Sequence, residues 1–306
     1  MPPKGSLCLE GQTARLPLST RLFSLVAVVA PVAGLIAGCI LLWGSGFGWV
    51  HLSLFVGMYL VSGLGITVGY HRLFTHRSFE TYRVVQFVLA ALGSMAVQGP
   101  LLRWVAMHRR HHQHSDQPGD PHSPHLQAPG IVGLIRGMWH AHLGWVFQPD
   151  PAGLDHYAKD LRKDTPVRVA SALFPVWVAL GLLVPTVLGG LLTMSWWGAL
   201  LGFLWGGLAR ICLVHHVTWS VNSVCHFWGR RPFQVHDESR NNFLFGLLAL
   251  GEGWHNNHHA FPTSARHGLR WWQIDLTYGF IRMLALVGLA WGVRRPDAAA
   301  LSAQSA

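Results

Sequence analysis

Residues 48–76 read GWVHLSLFVGMYLVSGLGITVGYHRLFTH. The apolar run over about 48–69 carries no Asp, Glu, Lys or Arg and is long enough to cross a bilayer as a helix. His71 and His76 follow it at once. Upstream lies a second apolar run, about 23–43, separated from the first only by Gly44-Ser45-Gly46-Phe47. It is too long for a signal-peptide core and has no small-residue cleavage site after it, so it reads as an anchor that stays. The two runs form a transmembrane hairpin with a tight turn. A second hairpin repeats the plan, about 169–188 and 195–215, turning through Gly189 and Gly190. Four spans leave both termini and the long 70–168 segment on one face.

The remaining composition agrees with a lipid environment. Of the 306 residues 51% are hydrophobic and 12% charged, against roughly 25% charged in soluble domains. Hydrophobic stretches run the length of the chain with no Pro/Ser-rich linker, so residues 1–306 read as one domain with its core at about 22–293 and short tails. The net charge is +10, yet none of the 23 Lys and Arg residues falls in the loops 44–50 and 189–195. That segregation is the positive-inside pattern and suits anionic lipid head groups. Nucleic acid is excluded, because apolar spans interrupt the basic residues and no basic stripe forms. Cys8, Cys39, Cys212 and Cys225 have no C-x-x-C spacing and suggest neither disulfides nor a thiolate metal site.

Three shorter apolar stretches decide whether this topology holds. Residues 84–98 are uncharged, but about 15 residues fall short of the ~20 a span needs. They read as a half-buried or re-entrant helix. Arg136, His140 and His142 break segment 131–147, and Asp275 and Arg282 break 272–293, so both look interfacial. With 84–98 not crossing, all the histidine clusters lie on one face.

The chain holds 20 histidines. Nine fall into a pattern: His71 and His76, His108-Arg-Arg-His111-His112, His226 at the end of Asn222-Ser-Val-Cys, and His255-Asn-Asn-His258-His259. Positions i, i+3 and i+4 share a helix face, so each H-x-x-H-H is expected to present three imidazoles toward one point. His71 and His76, five apart, would not share a face on a regular helix and fit a helix end. Imidazole suits iron, zinc and copper, and nine ligands are enough for two ions. His215 and His216 end the fourth span and read either as ligands or as an interfacial solvated pair. His114, His122, His125, His140, His142 and His267 sit close to the clusters in sequence and read first as surface residues, with a role supporting the ligands from behind as the alternative, and His51, His156 and His236 carry no assignment.

At these residues the chain resembles the membrane fatty-acid desaturases of the stearoyl-CoA, or delta-9, type. The match runs from roughly Gly69 to Trp291 and includes HRLFTHRSF at 71–79, HRRHHQHSDQPGDPHS at 108–123, NSVCH at 222–226 and GEGWHNNHHAFP at 251–262. The resemblance implies an all-α, multi-pass membrane protein with four transmembrane helices and a cytoplasmic helical cap carrying a di-iron site. Two iron ions would be held by His71, His76, His108, His111, His112, His226, His255, His258 and His259, with Asn222 reaching an iron through water. Gln98, Trp104 and Thr218 match positions that line the bend of the acyl tunnel.

The chemistry so implied is removal of two hydrogens from adjacent carbons with O2 as co-substrate, giving a cis double bond, at position 9 by resemblance, in a saturated acyl chain. The expected substrate is an acyl-CoA or a membrane lipid, with acyl carrier protein less favoured. An unactivated methylene offers no acidic proton and no electrophilic carbon, so acid–base side chains alone cannot attack it. The chain shows no haem-binding His-Pro-Gly-Gly module, no CxxC pair and no G-x-G-x-x-G. A separate electron donor of ferredoxin, rubredoxin or cytochrome b5 type is therefore expected, and an acidic one would suit the basic face. The nearest alternative is a membrane di-iron hydroxylase or monooxygenase. A metal transporter is disfavoured, because transport residues lie within spans whereas these clusters follow them. The expected location is a bacterial inner membrane, with the site and both termini cytoplasmic.

Overall fold

A computed structural model describes residues 16–42 and 48–303. It is 67% helical. Helix α1 (Leu18–Leu42) is followed by α2 (Trp49–Leu64), which runs on without a break into a π-helical segment, Gly65–Thr75. The strand β1 (Glu80–Thr81) precedes α3 (Arg83–Ser94), α4 (Leu101–His114) and α5 (Ile131–His142). After short 3₁₀ turns come α6 (Thr165–Ala172), α7 (Phe174–Thr193) and α8 (Trp196–Gly202). A second π segment, Phe203–Ala209, joins α8 to α9 (Arg210–Ser223). The chain closes through α10 (Phe243–Leu248), α11 (His255–Ala260), α12 (Leu276–Leu286), β2 (Ala290–Trp291) and α13 (Ala298–Ala303). β1 and β2 pair antiparallel, Glu80 opposite Trp291.

Four helices are long and apolar enough to cross a membrane: Leu18–Leu42, Trp49–Thr75, Phe174–Thr193 and Trp196–His226. The second and fourth outrun the hydrophobic stretches that signal them, ending at Thr75 and His226 instead of about 69 and 215. Their polar extensions are tolerated because they are buried, Gly65–Thr75 against α3, α4 and α12, and α9 against α5 and α10. The expected turn at Gly44–Phe47 lies outside the described residues. The turn expected over 189–195 falls at the end of that stretch, and the two glycines are not part of it. Both remain helical, and the chain reverses at Met194, in left-handed conformation, and Ser195, whose Oγ accepts from the N–H groups of Trp197 and Gly198 to cap α8. Gly189 instead permits close helix packing, since a Cβ there would meet the Gly198 carbonyl at 2.4 Å.

α3 is a 12-residue helix, too short to cross, as its length predicts. α5 exposes Ile131, Val132, Ile135 and Trp139, and α12 exposes Leu276, Met283 and Leu286, the placement expected of interfacial helices. The largest buried cluster lies at the cap end of the second span, where Ile66, Val68, Tyr70, Leu73 and Phe74 pack with Phe79, Leu89, Leu101 and Val105. One ion inside the fourth span is fully buried. Arg210 donates to the carbonyls of Gly206 (3.0 Å), Gly181 (2.7 Å) and Met95, so its charge is met by backbone dipoles.

Candidate metal centre

The π segment carries His71, and His76 caps its end. His76 donates its backbone N–H to the carbonyl of His71 at 3.1 Å, a bond spanning five residues instead of four. On an α-helix five residues amount to about 140° of rotation. The wider π turn shortens that offset and sets the two rings 4.8 Å apart. The pair stands at a helix end as the spacing predicts, His71 in the last turns of the span and His76 at its C-cap, with the π turn as the added feature that brings the rings together.

The expectation that each H-x-x-H-H aims at one point is overturned. His71, His76, His108, His112 and His258 form one group, and His111, His226, His255 and His259 a second. Within each group the ring nitrogens lie within 4.8 Å of one another. Each box is divided the same way: i and i+4 enter one group and i+3 the other. Helix geometry accounts for this, since i and i+4 are about 40° apart around the axis, while i+3 is about 100° from i+4. α11 is only six residues long, and its asparagines hold it. The Asn256 amide exchanges hydrogen bonds with the Phe233 backbone. Asn257 donates to the His267 carbonyl at 2.7 Å and to Gln273 at 3.0 Å.

A cation fits both groups. Nε2 atoms face each other at 3.0–3.1 Å in the pairs His71–His258, His108–His112, His112–His258, His226–His255 and His255–His259. Two nitrogens bound at right angles to one metal at about 2.1 Å would stand roughly 3.0 Å apart. Three of these rings spend their Nδ1–H on a carboxylate, His111 on Asp120 (3.0 Å), His226 on Asp116 (2.8 Å) and His259 on Asp237 (2.6 Å), and His71 Nδ1 stands in ion-pair distance of Glu252 at 2.6 Å. Their Nε2 lone pairs are left bare, the arrangement in which imidazole ligates. The buried Nε2 atoms of His76 and His111 have no hydrogen-bond partner.

Electrostatics keeps most of these rings neutral. Burial first, and then repulsion from neighbouring histidines, pushes His76, His108, His112, His255, His258 and His259 well below the usual imidazole value. For His111 burial pulls the same way but Asp120 outweighs it, and the net shift is upward. Burial alone would raise the carboxylate partners. Their histidines and, for Glu252, chiefly Arg72 hold Asp116, Asp120 and Glu252 below the carboxylate range. Arg72 donates Nε and NH2 to Glu252 Oε1 at 3.2 and 3.0 Å and NH1 to Asp275 at 3.1 Å, anchoring the carboxylate that holds His71.

Beside the two groups runs a cavity of about 650 Å³, lined among others by His71, His108, His255 and Asn222. Asn222 lies one helical turn before His226, half-buried, on the cavity wall. Trp104 Nε1 donates to Gln98 Oε1 at 3.1 Å, and Gln98 Nε2 donates to Thr218 Oγ1 at 2.9 Å. This chain crosses the cavity wall from α4 to the fourth span, and the Trp104 ring stacks on His108 at 5.0 Å.

Of the other histidines, His267 and His122 take the supporting places open to them, and His215 departs from the solvated one. His267 is 1% exposed, 3.0 Å from Glu252 by Nδ1, and its ring lies 4.4 Å from that of His258. His122 is also buried, 4.4 Å from the His111 ring. His215 is buried within the fourth span instead of solvated, with Nε2 donating to the carbonyls of Ala96 and Val97 at 2.9 and 3.1 Å. His216 meets His142 at 3.0 Å. His125 donates to the carbonyl of His226 at 2.7 Å.

The sequence matches the model of the fatty acid desaturase family over residues 47–284. The chain belongs to that family. It is 45% identical over 289 residues, 94% of this chain and 90% of the relative, to a hex-5-enoyl-[acyl-carrier protein] acetylenase of Moorena producens (strain JHB). It is 39% identical over 257 residues, 83% of this chain and 87% of the relative, to an sn-1 stearoyl-lipid 9-desaturase of Anabaena variabilis. To an acyl-CoA C20 Delta5-desaturase of Anemone leveillei it is 37% identical over 258 residues, 83% and 77% of the two chains. The enzyme is thus an oxidoreductase acting on acyl chains. These relatives carry their acyl groups on three different carriers.

Proposed function

We propose that this enzyme is an O2-dependent fatty-acyl desaturase that places a cis double bond, at position 9, in a saturated chain. The observation that carries the reading is the pair of histidine groups opening onto an apolar cavity. An acyl ligand needs such a cavity, with a few fixed polar groups to orient it. His71, His76, His108, His112 and His258 would hold one iron, and His111, His226, His255 and His259 the other, with Asn222 near the second group through water. Bound iron supplies the oxidising power, with O2 and two electrons from a separate donor, to break an unactivated C–H bond.

The chain's own side chains do the rest. Asp116, Asp120, Asp237 and Glu252 fix ring orientation and tautomer. The Trp104–Gln98–Thr218 hydrogen bonds hold the cavity wall rigid beside His108, so that only a short stretch of an acyl chain faces the histidines. Regioselectivity is then a matter of position. The segregated positive charge supports a cytoplasmic site in a bacterial inner membrane.

Expression in a host lacking its own desaturase, followed by mass spectrometry of the lipids, tests the reading. Loss of two hydrogens at one position is expected, and a hydroxylated chain without an alkene would overturn it. The likeness to the acetylenase supports a second reading, action on a chain that is already unsaturated. Feeding saturated and monounsaturated chains in parallel separates the two. Trp104→Ala is expected to move the double bond or change the chain-length preference, and an unchanged product profile at a comparable rate would remove Trp104 from the tunnel.

A further inference from the structure

His226 belongs to the four-histidine group but to no histidine box, and it ends the 3₁₀ turn Val224–His226 that follows α9. Carbonyls at the end of a helix find no partner inside it. Here each is met from elsewhere. The Val224 carbonyl accepts from the Phe227 and Trp228 N–H groups at 3.0 and 2.7 Å, and the Cys225 carbonyl from the Arg240 N–H at 2.6 Å. The His226 carbonyl accepts from a side chain, His125 Nε2, at 2.7 Å.

The imidazole end of His226 is held from the same loop. Its Nδ1 donates to Asp116 Oδ2 at 2.8 Å, an oxygen that also accepts the Glu238 N–H at 2.9 Å. Asp116 Oδ1 accepts from Ser123 Oγ at 2.6 Å, and Ser123 Oγ in turn accepts the His125 N–H at 3.0 Å. These bonds close a circuit from His226 through Asp116, Ser123 and His125 back to His226, with Ser123 buried at its centre. The loop grips a second ligand as well. Asp120 accepts from the His111 ring at 3.0 Å and from the Asp116 and His122 N–H groups at 2.9 and 3.0 Å. Both histidines so held, His111 and His226, belong to the four-histidine group.

A carboxylate on Nδ1 fixes how an imidazole is turned, but the place of its Nε2 depends also on where the backbone sits. Resting on the reading of this group as an iron site, we propose that Ser123 and His125 are positioning residues for it. Ser123 locks Asp116 to the loop. His125 pins the His226 carbonyl, so that the lone ligand at the end of the fourth span keeps its Nε2 3.0 Å from that of His255.

The test uses full-length protein purified in detergent and loaded with iron, and counts the iron each chain retains as a chelator is raised. His125→Phe keeps the ring volume and removes the donor; Ser123→Ala breaks the circuit at another bond. In each, one iron should leave at about 10–100-fold lower chelator than in the wild type, while the other leaves where it did before. His125→Gln restores an amide donor and Ser123→Thr a hydroxyl, and both should return the wild-type curve. The site is assigned by combination. Added to His258→Ala, which removes a ligand of the five-histidine group, His125→Phe should loosen the iron that remains; added to His255→Ala it should change nothing further. Wild-type retention in both His125→Phe and Ser123→Ala would overturn the proposal and leave the iron reading intact. Equal loosening of both irons, or no recovery in His125→Gln, would make the loop a general support of the cap and overturn it too. A wild-type protein that retains no iron would overturn the iron reading itself, and the proposal with it.

Discussion

The backbone N–H of His76 is bonded to the carbonyl of His71 at 3.1 Å, and this five-residue step places both rings in the same histidine group. Deleting Leu73 would restore α-helical spacing between the two. A four-residue step would still keep both rings on one face, as for His108 and His112, but it draws the chain after His71 back by one residue, so His76 can keep its place in the group only by breaking the bonds of Ser78 to Arg72 and Arg294. We expect the variant to insert in the membrane, because the apolar part of the span is untouched, and to lose iron from the five-histidine group. Activity should fall by more than the roughly 10–100-fold typical of an outer-sphere change. Iron analysis of purified protein checks this. Full iron content in the deletion variant would mean that the π turn is not what aligns the pair.

The carboxylates behind the rings form a graded series. Glu252 accepts from Arg72 and lies within ion-pair distance of His71 and His267, whereas Asp237 accepts from His259 and the Ser239 N–H. Glu252→Gln and Asp237→Asn should each lower iron affinity by about 10–100-fold without removing a ligand. His267→Phe keeps the ring volume and should cost less than Glu252→Gln, since Glu252 retains Arg72 and His71. Chelator competition, read as residual iron per chain, ranks the three. Loss of iron from His267→Phe as complete as from His258→Ala would make His267 a ligand.

How much of this was readable beforehand depends on whether the signal is local. Hydropathy marks the spans because some twenty consecutive side chains must face lipid. The boxes stand out because 108/111/112 and 255/258/259 follow helical spacing. The division of each box follows from the same helical wheel, but only once two receiving groups are known. Asp120 lies nine residues beyond His111, within reach of a motif search, while Asp237 and His259 are 22 apart and Glu252 and His71 are 181 apart, so no spacing rule links them. His267 sits in irregular backbone fixed by Asp275, which accepts its N–H at 2.7 Å, and such a site carries no periodicity. The π segments are equally silent, because the same residues would make an acceptable α-helix until His76, α3 and α4 demand the wider turn.

Acid should release the metal and destabilise the metal-free site in the same window. His76, His108, His112, His255, His258 and His259 have native values depressed below the usual histidine value near 6.5. Protons then bind the unfolded chain first, so stability is lost as pH falls below about 6.5, by up to about 1.4 kcal/mol per unit for each group. His111, shifted upward, opposes this. The depressed carboxylates, Asp116, Asp120 and Glu252, stabilise the fold above about 4 and lose that contribution only as pH falls through their lower native values. Between pH 6.5 and 5 the histidines therefore decide the sign. Thermal unfolding of iron-free protein and iron retention on gel filtration should both decline across this interval. A flat response down to pH 4.5 would contradict the neutral-imidazole assignment.

His215 and Arg210 provide the last test, because they separate holding metal from placing substrate. Neither belongs to a histidine group that could hold a metal. Both reach from the fourth span to the turn after α3: Arg210 to the Met95 carbonyl, His215 to those of Ala96 and Val97. Val97 is in left-handed conformation (φ 60°), unusual for a β-branched residue, so the turn depends on outside contacts to hold it. The next residue is Gln98, which links Trp104 to Thr218. His215→Phe would keep a ring in place and remove the donor, leaving two buried carbonyls short of a partner, a loss of about 1–3 kcal/mol. We expect iron content to stay at the wild-type level while the released turn lets Gln98 drift. The product should spread over neighbouring double-bond positions or shift in chain length. Iron loss with the original product profile would place His215 with the metal, and wild-type behaviour in both would make its contact with the turn irrelevant to the acyl chain.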